Sequence, residues 1–234
     1  MIDINKETLT IGWCDNGTTD ARFTEGLVYT LIHSQTNNIQ IKSALRVNGN
    51  QIARQRQNLF DQWADEIKTD WLLWIDSDIV MTYSSLLKIL NVADKDTRKI
   101  VSGVYFISSE PEGELMKPLA CIYNFSEDME KIEHIDNLPT NEVIKADCAG
   151  FGFVLMHKSI IDPLREITGD NFIFAELNSR KNFVGEDVAF FMNAKKAGIQ
   201  LYVHTGILLD HIKRFNFNVD YHNFYWKNKD TPPN

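Results

Sequence analysis

Two aspartates, Asp76 and Asp78, close the run WLLWIDSDIV, with Ser77 between them. A hard divalent cation prefers carboxylate oxygens. Side chains at i and i+2 on extended backbone point the same way, so the pair can converge on one ion or its waters. An ion held there can also grip a diphosphate. The spacing by itself is weak, because 19 aspartates make a chance match common. Asp94 and Asp96 in NVADKDTRK form a second match, in a charged segment that reads as a solvated loop. A competing reading makes Asp76 and Asp78 caps of a helix starting near Tyr83, and the apolar strand before them speaks against it.

Further groups could do chemistry. In VGEDVAF, Glu186 and Asp187 open a helix, where the dipole alone favours their charge. Gly150 and Gly152 in CAGFGFVLM allow a backbone to approach a ligand without a Cβ, or serve close packing or a bulge, with Asp147 just before them. Arg54 and Arg56 in NQIARQRQ offer guanidinium groups suited to bidentate phosphate contact, or a surface role. Cys14 and Asp15 end the first apolar run. His211 in LLDHI, taken by itself, is more readily a satisfied structural histidine than a ligand.

The elements that must position these groups follow from periodicity. Leu9 to Cys14 reads as a buried strand, DNGTTD as a turn, and Arg22 to about Ser34 as an amphipathic helix. Ile39 to Leu45 alternates like a strand. Asn48 to Lys68 predicts a long helix, with Ile52, Leu59, Trp63 and Ile67 at helical spacing. Trp71 to Ile75 is a continuous apolar run, as in a central parallel strand covered on both faces. A helix over Tyr83 to Val92 and a strand over Ile100 to Ile107 follow. This alternation predicts an α/β fold with a Rossmann-like, mostly parallel central sheet and helices on both faces, binding ligands at the carboxyl ends of its strands. From Ser108 to Glu142 the rhythm changes to a small β insert, with Leu119 to Asn124 and Lys131 to Ile135 as hairpin candidates. Val143 to Met156 reads as a Gly-interrupted strand region, Ser159 to Thr168 as a helix carrying Pro163, Gly185 to Gly198 as the last strong helix, and Leu201 to His204 as a strand. One domain over 1–225 is expected, with a nucleotide-binding half over about 8–107, an acceptor-side half over about 108–211 and a frayed tail over 226–234.

Composition narrows the function classes. The 234 residues suit one α/β domain, and 44% hydrophobic with 24% charged residues is ordinary for a globular protein. A net charge of −8 works against nucleic acid as a partner without excluding it. Three cysteines, Cys14, Cys121 and Cys148, lack disulfide or zinc spacing. With a polar amino terminus and no signal-peptide core, they point to a cytoplasmic protein. CAGFGFVLMH is about half the length of a membrane-spanning helix, so no membrane span is expected.

WLLWIDSDIV, the later GEDVAFFMNAKKAGIQLYV and the histidine of LLDHI together resemble the core of GT-A glycosyltransferases, from Thr8 to about His211. The nearest likeness is to family-two-like enzymes and the fungal mannan-type transferases. A viral origin is compatible with the small size. The resemblance implies a metal-dependent transfer of a sugar from a UDP- or GDP-sugar donor to a glycan or other hydroxyl-bearing acceptor. By it, Asp78 ligates Mn²⁺ or Mg²⁺, Asp76 holds the ribose or a metal-bound water, and His211 is the third protein ligand, its imidazole favouring Mn²⁺. By it too, Arg54 sits near the nucleotide, Cys14 and Asp15 cup base and ribose beside Ser77, and Gly150 and Gly152 adjoin the donor sugar. Asp187 is the catalytic base in an inverting enzyme, with Glu186 second. WCDNGTTD departs from the Pro- or Thr-rich turn of such enzymes, which leaves the base open. Other readings are a nucleotidyltransferase or sugar-nucleotide synthase, for which DNGTTDARF lacks the Gly-rich basic loop, and a non-catalytic sugar-nucleotide-binding protein. A further variant is glycosylation of modified DNA bases.

Overall fold

A computed structural model of the chain describes residues 6–109, 117–129, 131–178, 183–213, 219, 222, 223 and 227. Of the expected tail over 226–234, all but residue 227 lies outside the described residues.

Seven strands form the central sheet: β1 (Leu9–Asp15), β2 (Ile41–Asn48), β3 (Trp71–Ile75), β4 (Ile100–Val104), β5 (Val143–Ala146), β6 (Phe153–His157) and β7 (Leu201–Leu208). Their order is β5-β7-β4-β6-β3-β1-β2. The pairs β1–β2, β1–β3 and β4–β7 are parallel. β6 enters the middle of the sheet antiparallel to β3 and β4, and β5 closes the edge antiparallel to β7. The α/β class and mostly parallel direction agree with the expectation, and the reversed strand at the centre was not foreseen. Every residue of β3, β4 and β6 is buried, as layers on both faces require.

The helices are α1 (Ala21–Thr36), α2 (Ile52–Asp61), α3 (Tyr83–Val92), α4 (Ile161–Thr168) and α5 (Glu186–Lys196). The expected helix over Asn48 to Lys68 starts later, at Ile52, and beyond Asp61 continues as a π-helical stretch, Gln62–Ile67, ended by Lys68 at φ 58°. The insert forms small antiparallel pairs: Phe106–Ser109 with Lys117–Ala120, and Ile122–Phe125 between Cys148–Ala149 and Ile132–His134.

An aromatic cluster fixes α5 against the sheet. Phe151 meets Trp74, Phe174 and Phe190 edge-on at 5.4, 5.2 and 4.9 Å, and Phe174 stacks on Phe190 at 5.0 Å. Such pairs add about 0.5–1.5 kcal/mol each beyond their buried area. They hold the first turn of α5, with Glu186 and Asp187, at a fixed distance from the end of β3.

Candidate functional site

A cleft of about 920 Å³ opens at the carboxyl ends of β1 and β3. Its walls are the turn from Cys14 to Asp20, the residues around Gly49 that lead into α2, the Asp76–Ser77–Asp78 turn, and Ile212 with Lys213. This is where open α/β sheets take ligands.

The two aspartates do not cap the next helix. Thr82 does, its hydroxyl accepting from Ser85 N at 3.0 Å while the Ser85 hydroxyl accepts from Thr82 N at 3.0 Å. The chain instead turns directly after β3, with Ile79 N donating to the Asp76 carbonyl at 3.0 Å and Asp20 N donating to the Ser77 carbonyl at 3.1 Å. Asp94, of the other pair, accepts from Asp96 N, Thr97 N and the Thr97 hydroxyl in a tight turn away from the cleft.

Asp78 and His211 come together. His211 reaches the site because Asp210–His211 pairs antiparallel with Ile79–Val80, and Ile212 N donates to the Asp78 carbonyl at 2.8 Å. His211 Nε2 lies 3.2 Å from Asp78 Oδ2, and its Nδ1 lies 2.9 Å from the Phe106 carbonyl. A carbonyl only accepts, so Nδ1 carries a proton and Nε2 faces the carboxylate. Lys213 Nζ donates to the same Asp78 oxygen at 2.8 Å. Burial pushes the Asp78 carboxyl up, but the hydrogen bonds from His211 and Lys213 outweigh it and hold the group at about 2.

Asp76 is engaged elsewhere. Its carboxylate accepts from Arg56 Nη2 at 3.2 and 3.4 Å, while Arg56 Nη1 lies 2.9 Å from Glu186 Oε1. That second contact is close but off the hydrogen-bonding direction, so Nη1 is an ion-pair partner and remains a buried donor without a hydrogen bond. Arg56, 5% exposed, rests over the Phe151 ring at 4.8 Å. Burial opposes its charge, but Asp76, Glu186 and Asp187 outweigh it. Burial pushes the Glu186 carboxyl up against the pull of Arg56. The three-residue ligand set therefore does not converge as expected. Among the described residues, no group of three His, Cys, Asp or Glu side chains is close enough to hold an ion unaided.

The Asp78–His211 pair still suits a divalent cation. It offers one carboxylate and one imidazole, and a cation that also binds phosphate needs only one or two protein ligands. The ammonium already drawn to Asp78 marks the spot as one where positive charge is favoured.

Other expected residues divide. Cys14 and Asp15 line the cleft. Burial pushes the Cys14 thiol up to about 12, so it is a neutral wall group. Asp15 is gripped by Arg46 through Nε at 2.6 Å and Nη2 at 2.7 Å and accepts from Gly17 N, contacts that hold its carboxyl below the ordinary value. Arg54 is exposed and lines a smaller adjoining hollow, and Arg56 enters the cleft in its place. Gly150 and Gly152 do not line the cleft: a Cβ on Gly150 would strike the Tyr105 hydroxyl, and one on Gly152 would lie 2.6 Å from the Tyr105 ring. Their need is close packing. Asp147 pairs with Lys195 at 2.9 Å, also outside the cleft. Glu186 and Asp187 stand behind Arg56 and are not among the lining residues.

Sequence reasoning missed Arg46 and Lys213, and favoured Arg54 over Arg56. Helical phase could have corrected the last: position 56 lies on the stripe of Ile52, Leu59 and Trp63, whereas 54 lies opposite. Nothing local pairs Arg46 with Asp15, because that contact depends on the parallel β1–β2 register.

No protein-family model matches the chain, and no curated protein matches it. Solved structures do. GalNAc-T7, crystallised with UDP, GalNAc and Mn²⁺, superposes with a TM-score of 0.59 at 10% identity, covering 92% of this chain and 45% of that one. The chain thus spans less than half of GalNAc-T7. A197 from STIV matches at 0.47 and 16% identity over 88% of this chain and 86% of that one. A glycosyltransferase involved in glycosylating the major capsid of PBCV-1 matches at 0.45 and 12%, over 89% and 94%. The GalNAc-T7 likeness shows the fold, and the chain has a GT-A-like fold.

Proposed function

We propose that the protein is a metal-dependent glycosyltransferase that moves a sugar from a UDP- or GDP-sugar to the hydroxyl of a glycan or other acceptor. The observation that carries this reading is the Asp78–His211 pair at the mouth of a cleft built on the carboxyl ends of β1 and β3. The UDP and Mn²⁺ bound to GalNAc-T7 on the same fold support it. Residues 1–225 form one catalytic domain in this reading, the donor bound in the half over about 8–107 and the acceptor on the half over about 108–211.

Asp78 and His211 hold Mn²⁺ or Mg²⁺, which when bound offsets the negative charge gathering on the departing diphosphate. Cys14, Asp15 and Ser77 line the nucleoside end, where Arg46 keeps Asp15 ionised and fixed. Arg56 adds buried positive charge beside Asp76. Glu186 is occupied by Arg56, so this reading gives Asp187, which lies outside the cleft walls, the acceptor-side role: taking the acceptor's hydroxyl proton in an inverting transfer, or positioning the acceptor in a retaining one.

The test is a screen of UDP- and GDP-sugars with Mn²⁺, following nucleoside diphosphate release. One donor is expected to react, with activity lost in EDTA and reduced about 100-fold or more in Asp78→Ala while the circular dichroism spectrum stays unchanged. Asp187→Asn is expected to slow transfer at near-normal donor binding. Full activity in EDTA rules the reading out, and release of pyrophosphate instead would make the protein a nucleotidyltransferase.

A further inference from the structure

Two positively inclined groups share one oxygen at the mouth of the cleft. Lys213 Nζ lies 2.8 Å and His211 Nε2 3.2 Å from Asp78 Oδ2. The Phe106 carbonyl holds His211 Nδ1 at 2.9 Å, which fixes Nε2 toward that same carboxylate oxygen. The Lys213 ammonium places a full positive charge on that oxygen.

We propose that Lys213 is an exchangeable counter-cation of this site: it sits on Asp78 when no divalent ion is bound, and moves to a phosphate oxygen when the ion enters with a diphosphate. This rests on the metal-site reading above. A divalent ion on Asp78 and an ammonium on the same oxygen would lie within about 4–5 Å of each other, where like charges repel, so the ion's arrival weakens the hold of Asp78 on the ammonium.

The surroundings allow the side chain to move while the backbone stays. The segment is pinned by Ile212 N to the Asp78 carbonyl at 2.8 Å, by the pairing of Asp210–His211 with Ile79–Val80, and by the Arg22–Asp210 ion pair at 2.7 Å. The Lys213 side chain is 59% exposed. Its ammonium is a point charge on a flexible four-carbon stem, able to change partners without a fixed fork geometry. Lys213 lines the cleft together with Asp15, Arg56 and Asp76, so the freed ammonium remains within the ligand's space. Phosphate oxygens are strong acceptors for it.

The exchange gives effects of opposite sign for the two ligands, measurable by calorimetry on the full chain. For MnCl2 added by itself, Lys213→Met is expected to bind about two- to fivefold more tightly than the native protein, the size of an exposed ion pair. The gain should shrink in high salt. Lys42→Met, which removes the same charge from the far end of β2, is expected to leave Mn²⁺ affinity unchanged. For inorganic pyrophosphate added at saturating Mn²⁺, a probe independent of the base, Lys213→Met is expected to bind about threefold or more weakly. Equal or weaker Mn²⁺ binding by Lys213→Met overturns the proposal and leaves the metal site standing. Tighter Mn²⁺ binding with unchanged pyrophosphate affinity overturns the exchange. Absence of Mn²⁺ binding by both the native protein and Lys213→Met overturns the metal reading together with the proposal.

Discussion

Asp70 and Asp78 stand at opposite ends of β3, and their surroundings hold both carboxyls down at about 2, below the ordinary 3.8. In each, burial pushes the value up and hydrogen bonds outweigh it: from His211 and Lys213 at Asp78, and from Lys158 and Thr8 at Asp70. A folded-state value below the unfolded one adds stability that is fully present above the unfolded value and lost as pH falls toward the folded one. The urea midpoint is therefore expected to drop between about pH 4 and pH 2. Asp70→Asn, remote from the cleft, should lower stability at neutral pH and flatten part of that drop. An acid profile identical to the native one would show that Asp70 contributes none of it. At this scale the sequence was only partly legible. Asp76, Asp78 and Cys14 announce themselves by ending apolar strands, and the phase of α2 distinguishes Arg56 from Arg54. Lys213 and Arg46 acquire meaning only through tertiary contacts with Asp78 and Asp15.

Strands and helices were more legible than their directions. Trp71–Ile75 and Tyr83–Val92 match expectation residue for residue, because an unbroken apolar run and a helical stripe are strong local signals. The apolar run at Phe153–His157 reads equally well as parallel or antiparallel, so its reversed insertion between β3 and β4 was invisible. The glycines before that strand left two readings open, ligand approach or close packing, for a related reason. The sequence shows that Gly150 and Gly152 lack a Cβ, but not that Tyr105 fills the space. A Cβ on Gly150 would meet both the Tyr105 hydroxyl and, at 2.6 Å, the Cys121 sulfur. Gly150→Ala is accordingly expected to cost about 1–3 kcal/mol of stability by overpacking. Adding Tyr105→Phe, which removes the hydroxyl, should recover part of that loss. Urea denaturation of the single and double variants decides it, and a neutral Gly150→Ala would mean that the Tyr105 ring moves aside freely.

Across the whole molecule, the site is assembled from segments far apart in the chain: the turn after β1, the start of α2, the end of β3, the first turn of α5 and the stretch from Asp210 to Lys213. The alternation of strands and helices tells where such segments should gather, which is why a cleft at the carboxyl ends of β1 and β3 could be expected before the fold was known. It does not tell which side chains pair once gathered, and Asp76 pairing with Arg56, which also meets Glu186, rather than converging with Asp78 is the clearest case. The central claim is that this cleft holds a nucleoside diphosphate through a metal on Asp78. Anomalous scattering from a crystal grown with MnCl2 and UDP or GDP tests it most directly. The expected result is a manganese peak within direct coordination distance of an Asp78 oxygen and of His211 Nε2, with the diphosphate between the Cys14–Asp20 turn and the Asp76–Asp78 turn. A peak elsewhere, or a diphosphate bound out of reach of Asp78, would contradict it.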